Sequence, residues 1–167
     1  QGLGARLSLP SALAGCYRKL QSNFLGYQRV WLDCLSDNAF AEYNYYNIGS
    51  TTLGVVSPTS GGAISMLYNS SYSGIASCNY FLGNIDKVPI PDDSKKQYIG
   101  EVKFLRALMY FDLVQSFGDV ILYKESPKSA DDAQIAKSPR ADVLEFINQD
   151  LDDALASLPD VPYAGQA

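Results

Sequence analysis

Apolar residues recur along this chain at the spacings of helices. From Ser8 to Phe24, the positions Leu9, Leu13, Cys16, Tyr17, Leu20 and Phe24 return every three or four residues, or beside such positions. That predicts a helix with one apolar face. Pro10 would stand in its first turn, where a missing N–H is tolerated. A shorter helix is predicted over 28–35, carrying Trp31. The pattern then fails over 37–62, DNAFAEYNYYNIGSTTLGVVSPTSGG, which is rich in Asn, Ser, Thr and Gly. This reads as a long loop with a short extended piece around 53–56. Loops of such length in compact domains tend to be functional or mobile.

The helical period resumes over 63–86, where Ile64, Leu67, Tyr68, Ile75, Cys78, Leu82 and Ile85 share a stripe and Ser71 falls in its gap. Gly74 should cost this helix about 1 kcal/mol against alanine. VPIPDD ends it, since proline cannot continue a helix. Ser94 is the expected N-cap of the next helix, which runs to Phe117 and is stopped by Gly118. Stepped at 100° per residue, this helix shows two apolar faces. Val102, Leu105, Met109 and Leu113 form one, and Phe104, Ala107, Leu108, Phe111 and Val114 form the other. Glu101 with Asp112, and Lys103 with Arg106, run between them as polar seams. Such a helix is expected to have a neighbour on either side. Val120 to Tyr123 is a short extended run and 124–137 a polar linker. Ser138-Pro139 then reads as N-cap and first helical residue of a last helix ending near Leu158. Its face is Val143, Leu144, Ile147, Leu151, Ala154, Leu155 and Leu158, with Asp150, Asp152 and Asp153 off that face. The expected fold class is therefore all-α, built of antiparallel helical hairpins of tetratricopeptide-like type with one long loop.

Composition narrows the function classes. Among 167 residues the net charge is −5 and no basic stripe occurs, which disfavours nucleic acid as a partner. Histidine is absent, which removes Ser-His-Asp and Cys-His catalysis and histidine-ligated metals. The three cysteines, Cys16, Cys34 and Cys78, lie far apart with no CxxC, and read as small buried hydrophobes. No metal or other cofactor is expected. No run of eighteen apolar residues crosses a bilayer, and no signal peptide is visible.

The stretch 100-GEVKFLRALMYFDLVQSFGDVILY-123 resembles the signature of the SusD/RagB family. The match runs through Gly100, Glu101, Phe104, Leu105, Arg106, Ala107, Tyr110, Phe111, Leu113, Val114, Phe117, Gly118, Asp119 and Val120. Ile121 departs from it, because the family commonly has proline there. Two weaker matches follow in the right order. One is 67–86, through Tyr72, Gly74, Ile75, Asn79 and Leu82; the other is 138–159, through Asp150, Leu151, Ala154, Leu158 and Pro159. The resemblance implies a SusD-like helical fold and non-catalytic capture of an oligosaccharide, or of a peptide or glycopeptide. It implies delivery to a SusC-like, TonB-dependent transporter, and a surface-exposed place in the outer membrane held by a lipid on an N-terminal cysteine. No cysteine stands near Gln1, and family members continue well past YAGQA. Residues 1–167 are thus expected to be a single domain forming the N-terminal portion of such a protein, with the repeat scaffold over about 63–158.

Within that frame, Glu101, Arg106, Asp112 and Asp119 are expected to be structural charges. Asp33 with Asp37, or Asp37 with Glu42, are the carboxylate pairs a glycosidase would need, but no motif fixes either, and no enzyme is expected. The binding candidates are Tyr43, Asn44, Tyr45, Tyr46 and Asn47, in 40-FAEYNYYNIG-49. Aromatic rings stack on sugar faces while asparagine takes the hydroxyls. The same tyrosines would also serve if packed onto the helices. A different class of reading is a helical scaffold whose only ligand is protein.

Overall fold

In the computed structural model, residues 3–23, 27–57 and 59–160 are described. Five α-helices follow one another: α1 Leu3–Asn23, α2 Ile48–Thr52, α3 Ala63–Leu82, α4 Asp92–Phe117 and α5 Arg140–Ser157. Three 3₁₀ segments join them, at Tyr27–Leu35, Tyr45–Asn47 and Ile85–Lys87. Among the described residues the only β-type pairing is an isolated bridge between Val120 and Ser138. The all-α class and the antiparallel hairpins expected from the sequence are both present.

The antiparallel arrangement is visible in the partners. Between α4 and α5, Lys103 meets Asp153, Arg106 meets Asp150 and Tyr110 meets Phe146, so the partner number falls as the α4 number rises. Between α3 and α4, Gly74 lies against Met109 and Asn79 against Arg106. Between α1 and α3, Lys19 Nζ donates to Ser73 Oγ at 2.8 Å. Helix α4 therefore lies between α3 and α5, and Tyr17 of α1 reaches it by donating to Glu101 at 2.8 Å.

Several expectations about boundaries shift. Helix α1 begins five residues earlier than Ser8, which places Pro10 inside it. The proline ring stands on the exposed side, where the lost backbone bond is least costly. Leu9, Cys16 and Leu20 are buried as the stripe predicted, Tyr17 is only partly covered, and Phe24 falls outside the described residues. The short helix carrying Trp31 is 3₁₀ over its whole length. Helix α3 stops at Leu82, and Ile85 belongs to the 3₁₀ turn that follows. Helix α4 starts at Asp92, directly after Pro91, so Ser94 lies inside it. Two aspartates in its first turn favour that end through the helix dipole. Helix α5 starts one residue after Pro139, and its Arg140 N–H donates to Asp119 Oδ1 at 2.8 Å. The side chain that closes α5 thus comes from the turn after α4 and not from Ser138.

The largest correction concerns α4 itself. Val102, Leu105, Met109 and Leu113 are buried, as are Ala107 and Val114 of the second face. Phe104 and Phe111 are not: they remain 46% and 41% exposed. The supposed polar seams are instead buried, with Glu101, Arg106 and Asp112 all inside. Helix α5 turns the same way. Its buried face is Val143, Ile147, Asp150 and Ala154, while Leu155 is 80% exposed. Asp150, and not Leu151, stands at the contact, where Arg106 lies opposite.

Arg106 holds Asp150 with two parallel bonds, Nε to Oδ2 at 2.7 Å and Nη2 to Oδ1 at 2.8 Å. Its Nη1 donates to Asn79 Oδ1 at 2.6 Å and to the Lys124 carbonyl at 2.9 Å. The guanidinium also lies 4.8 Å from the centre of the Phe146 ring, a cation–π contact. The irregular segment after α4 is pinned by the same helices. Asn79 Nδ2 donates to the Tyr123 carbonyl, Tyr110 Oη donates to it and accepts from the Tyr123 N–H, and Tyr72 Oη donates to the Ile121 carbonyl. Backbone groups that no helix or sheet satisfies are thereby paired. Gly74 has a packing role beyond its propensity cost. A Cβ there would fall 2.4 Å from Met109 Sδ, so the absent side chain lets α3 and α4 approach.

Two outcomes follow. Leu105→Ala should lower stability by about 2–5 kcal/mol in urea denaturation, whereas Phe111→Ala should cost clearly less, because its ring is already in part-contact with water. Burial holds the Tyr72 and Tyr110 phenols above the ordinary value of 10.0. Their folded pKa is raised, so the stability they contribute is whole below pH 10 and is lost as pH climbs through and beyond it. Urea midpoints should stay level up to about pH 9 and drop by about pH 11, and Tyr72→Phe should shrink that drop.

Candidate functional site

The segment 37–62 has more order than its composition predicts. Asn44 organises it: its Oδ1 accepts the Ser50 N–H at 3.2 Å, and its Nδ2 donates to Ser50 Oγ at 3.3 Å. This ties the 3₁₀ turn Tyr45–Asn47 to α2. Tyr46 and Asn47 both take left-handed conformations, with φ of 51° and 57°. Asparagine tolerates that region, but tyrosine does so at a cost. Gly62 sits under the turn at φ 74°, where a Cβ would meet the Tyr46 carbonyl oxygen at 2.0 Å. Only glycine allows this close approach. The extended piece expected over 53–56 is absent. Backbone bonds from Leu53, Gly54 and Val55 back to Gly49, Thr51 and Ser50 form a turn instead.

The five predicted binding residues all face outward. Tyr43 is 75% exposed, and Asn44, Tyr45, Tyr46 and Asn47 are also exposed. The Tyr45 and Tyr46 rings lie 4.1 Å apart between centres and tilted by 58°, so they form one aromatic knob. The reading in which these tyrosines pack down onto the helices therefore does not describe them.

Beside the knob, at one end of the bundle, lies a cleft of about 1090 Å³. It is lined by Trp31 and Leu35 from the 3₁₀ segment and by Thr51, Val56 and Ser57 from the loop. Tyr68 and Asn69 come from α3, Gln115 and Phe117 from the end of α4, and Lys137 and Arg140 from the start of α5. The Tyr68 ring is fixed by an edge contact to Phe117 at 5.2 Å and by a tilted contact to Tyr72 at 4.8 Å. A second, smaller hollow of about 370 Å³ continues along α3 past Tyr72 and Tyr123, and Tyr68 and Asn69 line both. None of the five predicted residues lines either hollow. The same loop contributes to the cleft through its other end.

Trp31, Tyr68, Lys137 and Arg140 were not singled out from the sequence as binding candidates. Trp31, the only tryptophan, was placed on a short helix, and Tyr68 was assigned to a core stripe. Only the convergence of four separate elements makes them neighbours. Asp33, Asp37 and Glu42 are exposed and line neither hollow, so neither of the two carboxylate pairs considered from the sequence faces across one of them. Among the described residues no group of His, Cys, Asp or Glu is placed to hold a metal ion, and no helix is long and apolar enough to cross a membrane. The seam charges act as props, with Glu101 on Tyr17, Arg106 on Asp150 and Asp119 on the start of α5.

Comparison with known proteins gives a consistent result. Residues 9–167 match the SusD-like family described as starch-binding and associating with the outer membrane. SusD-like protein P2 of Formosa agariphila is 26% identical over 161 residues, covering 93% of this chain and 32% of that protein. A laminarin-binding SusD-like protein of known structure superposes with a TM-score of 0.79 at 26% identity, over 98% of this chain and 35% of the other. A SusD-like carbohydrate-binding protein from Bacteroides fragilis gives 0.76 at 25% identity, over 97% and 34%. The chain spans about a third of the length of these relatives. With nearly its whole length matched by one family and the signature residue Arg106 joined to Asp150 in its core, the chain belongs to the SusD-like family.

Proposed function

We propose that this chain is part of a non-catalytic surface protein that captures oligosaccharides and passes them to a TonB-dependent outer-membrane transporter. The observation that carries the reading is the exposed tyrosine knob beside an aromatic-lined cleft on a rigid helical bundle. Sugars offer flat apolar faces ringed by hydroxyls. Tyrosine rings cover the faces and asparagine side chains meet the hydroxyls. The family description as starch-binding and the laminarin-binding relative support carbohydrate over peptide as the ligand class. Tyr43, Asn44, Tyr45, Tyr46 and Asn47 would form the outer contact, with Trp31, Tyr68 and Asn69 inside the cleft. Outer-membrane association fits the family, and a lipid on an upstream cysteine would provide the anchor.

A protein-binding role has its own support. Phe104 and Phe111 on α4, and Leu151 and Leu155 on α5, lie on one side of the hairpin and are exposed. Apolar surface of that kind fits packing by another protein element, such as the transporter.

Binding through a few stacked rings should be weak. The dissociation constant for laminarin-derived or starch-derived oligosaccharides should lie between about 1 μM and 1 mM, that is about −8 to −4 kcal/mol. It should change little with salt, since a neutral glycan leaves no ion pair to screen. Replacing Tyr43, Tyr45 and Tyr46 together by alanine should weaken binding in calorimetric titration while the helical circular dichroism signal stays unchanged. An affinity that does not move would place the site elsewhere, and a parallel loss of helix would mean that the tyrosines support the fold.

A further inference from the structure

The sequence separates Cys16 from Cys78 by the whole of the loop region, yet the fold brings them together. The antiparallel register of α1 and α3 is set by Lys19, whose Nζ donates to Ser73 Oγ at 2.8 Å. The Lys19 Cβ also lies 3.5 Å from where a Gly74 Cβ would stand. One turn back along α1 is Cys16, and one turn on along α3 is Cys78. Both belong to the same core cluster, at 1% and 0% exposure. The register therefore sets the two cysteines opposite each other across the α1–α3 contact, both wholly buried. Cys34 takes no part: it lies in the 3₁₀ segment after α1, half-buried and outside that cluster.

We propose that Cys16 and Cys78 are a disulfide-forming pair that locks α1 onto α3 when the chain meets a small-molecule or protein disulfide. The thiolate of one cysteine attacks one sulfur of the oxidant, such as oxidised glutathione, and expels one glutathione thiolate. The thiolate of the other then attacks the sulfur of that mixed disulfide on the protein side, the Cys16–Cys78 bond forms and the second glutathione leaves. Two protein thiols lose two electrons and two protons, and one glutathione disulfide becomes two glutathione molecules. Either thiol can open the exchange, because both orders give the same cross-link. Burial keeps the pair away from oxidants in the closed fold. Reaction therefore takes place while the chain folds or when α1 lifts from α3. An outer-membrane-associated protein passes through a compartment where disulfides persist. The cross-link itself does not depend on which ligand the chain binds.

The test is to refold the 167-residue chain in a mixture of reduced and oxidised glutathione, quench with acid, and count free thiols in denaturant. Of three cysteines, one should remain reactive, and a non-reducing peptide map should join the Cys16 and Cys78 peptides with the loss of two hydrogen atoms. The Cys34→Ser variant should keep the cross-link and leave no free thiol. Reducing the cross-link should lower the urea midpoint. Three free thiols after refolding would overturn the proposal, as would a map that joins Cys34 to either partner. An oxidised form that unfolds at lower urea than the reduced one would also overturn it, since the native register would then not accept the bond.

Discussion

Arg106 is the point on which the scaffold turns. A guanidinium buried in the middle of a helix is costly unless nearly every N–H finds an acceptor. Here one side chain meets a carboxylate on α5, an amide on α3, a backbone carbonyl after α4 and an aromatic face. Those four partners come from three parts of the chain, α5, α3 and the segment after α4, so the register of these helices is fixed relative to a single charge. Slide α5 by one turn and Asp150 leaves Arg106, with both charges stranded. The pair therefore specifies the arrangement more than it adds to stability.

The rigid bundle matters for the proposed function because the aromatic surface is built on its end. Trp31 and Tyr68 line the same cleft because the fold brings the 3₁₀ segment after α1 and the start of α3 to the end of α4. The tyrosine knob sits on a turn braced by Asn44 and seated on Gly62. Side chains held this way lose little conformational freedom on binding, which matters when each contact is weak. Fixed Tyr68 and a braced knob suit a flat, neutral ligand better than a flexible loop would.

Much of the fold was legible in the sequence, and the failures have physical causes. The stripe of α3 and the sandwiched position of α4 came from periodicity and are present, whereas in α5 only Val143, Ile147 and Ala154 of the expected face are buried. Periodicity misread Asp150, because it counts a carboxylate as wet and cannot see an arginine opposite. It also assigned Phe104 and Phe111 to a buried face, since an apolar side chain carries no mark of whether a neighbour exists. The starts of α4 and α5 moved by a few residues because proline set them and not the polar residue nearby. In the candidate site, the exposed tyrosines were legible as a cluster of aromatic and amide residues without helical period. The cleft was not, because Trp31, Tyr68, Lys137 and Arg140 are brought together only by the tertiary fold.

The claim that one buried ion pair sets the register can be tested with a double-mutant cycle in urea. Arg106→Met and Asp150→Leu should each cost about 3–5 kcal/mol, because each leaves the other charge buried alone. The double variant should lose clearly less than the sum, since no unpaired charge remains. Single losses below about 1 kcal/mol, or losses that simply add, would mean that the helices find their register without the pair.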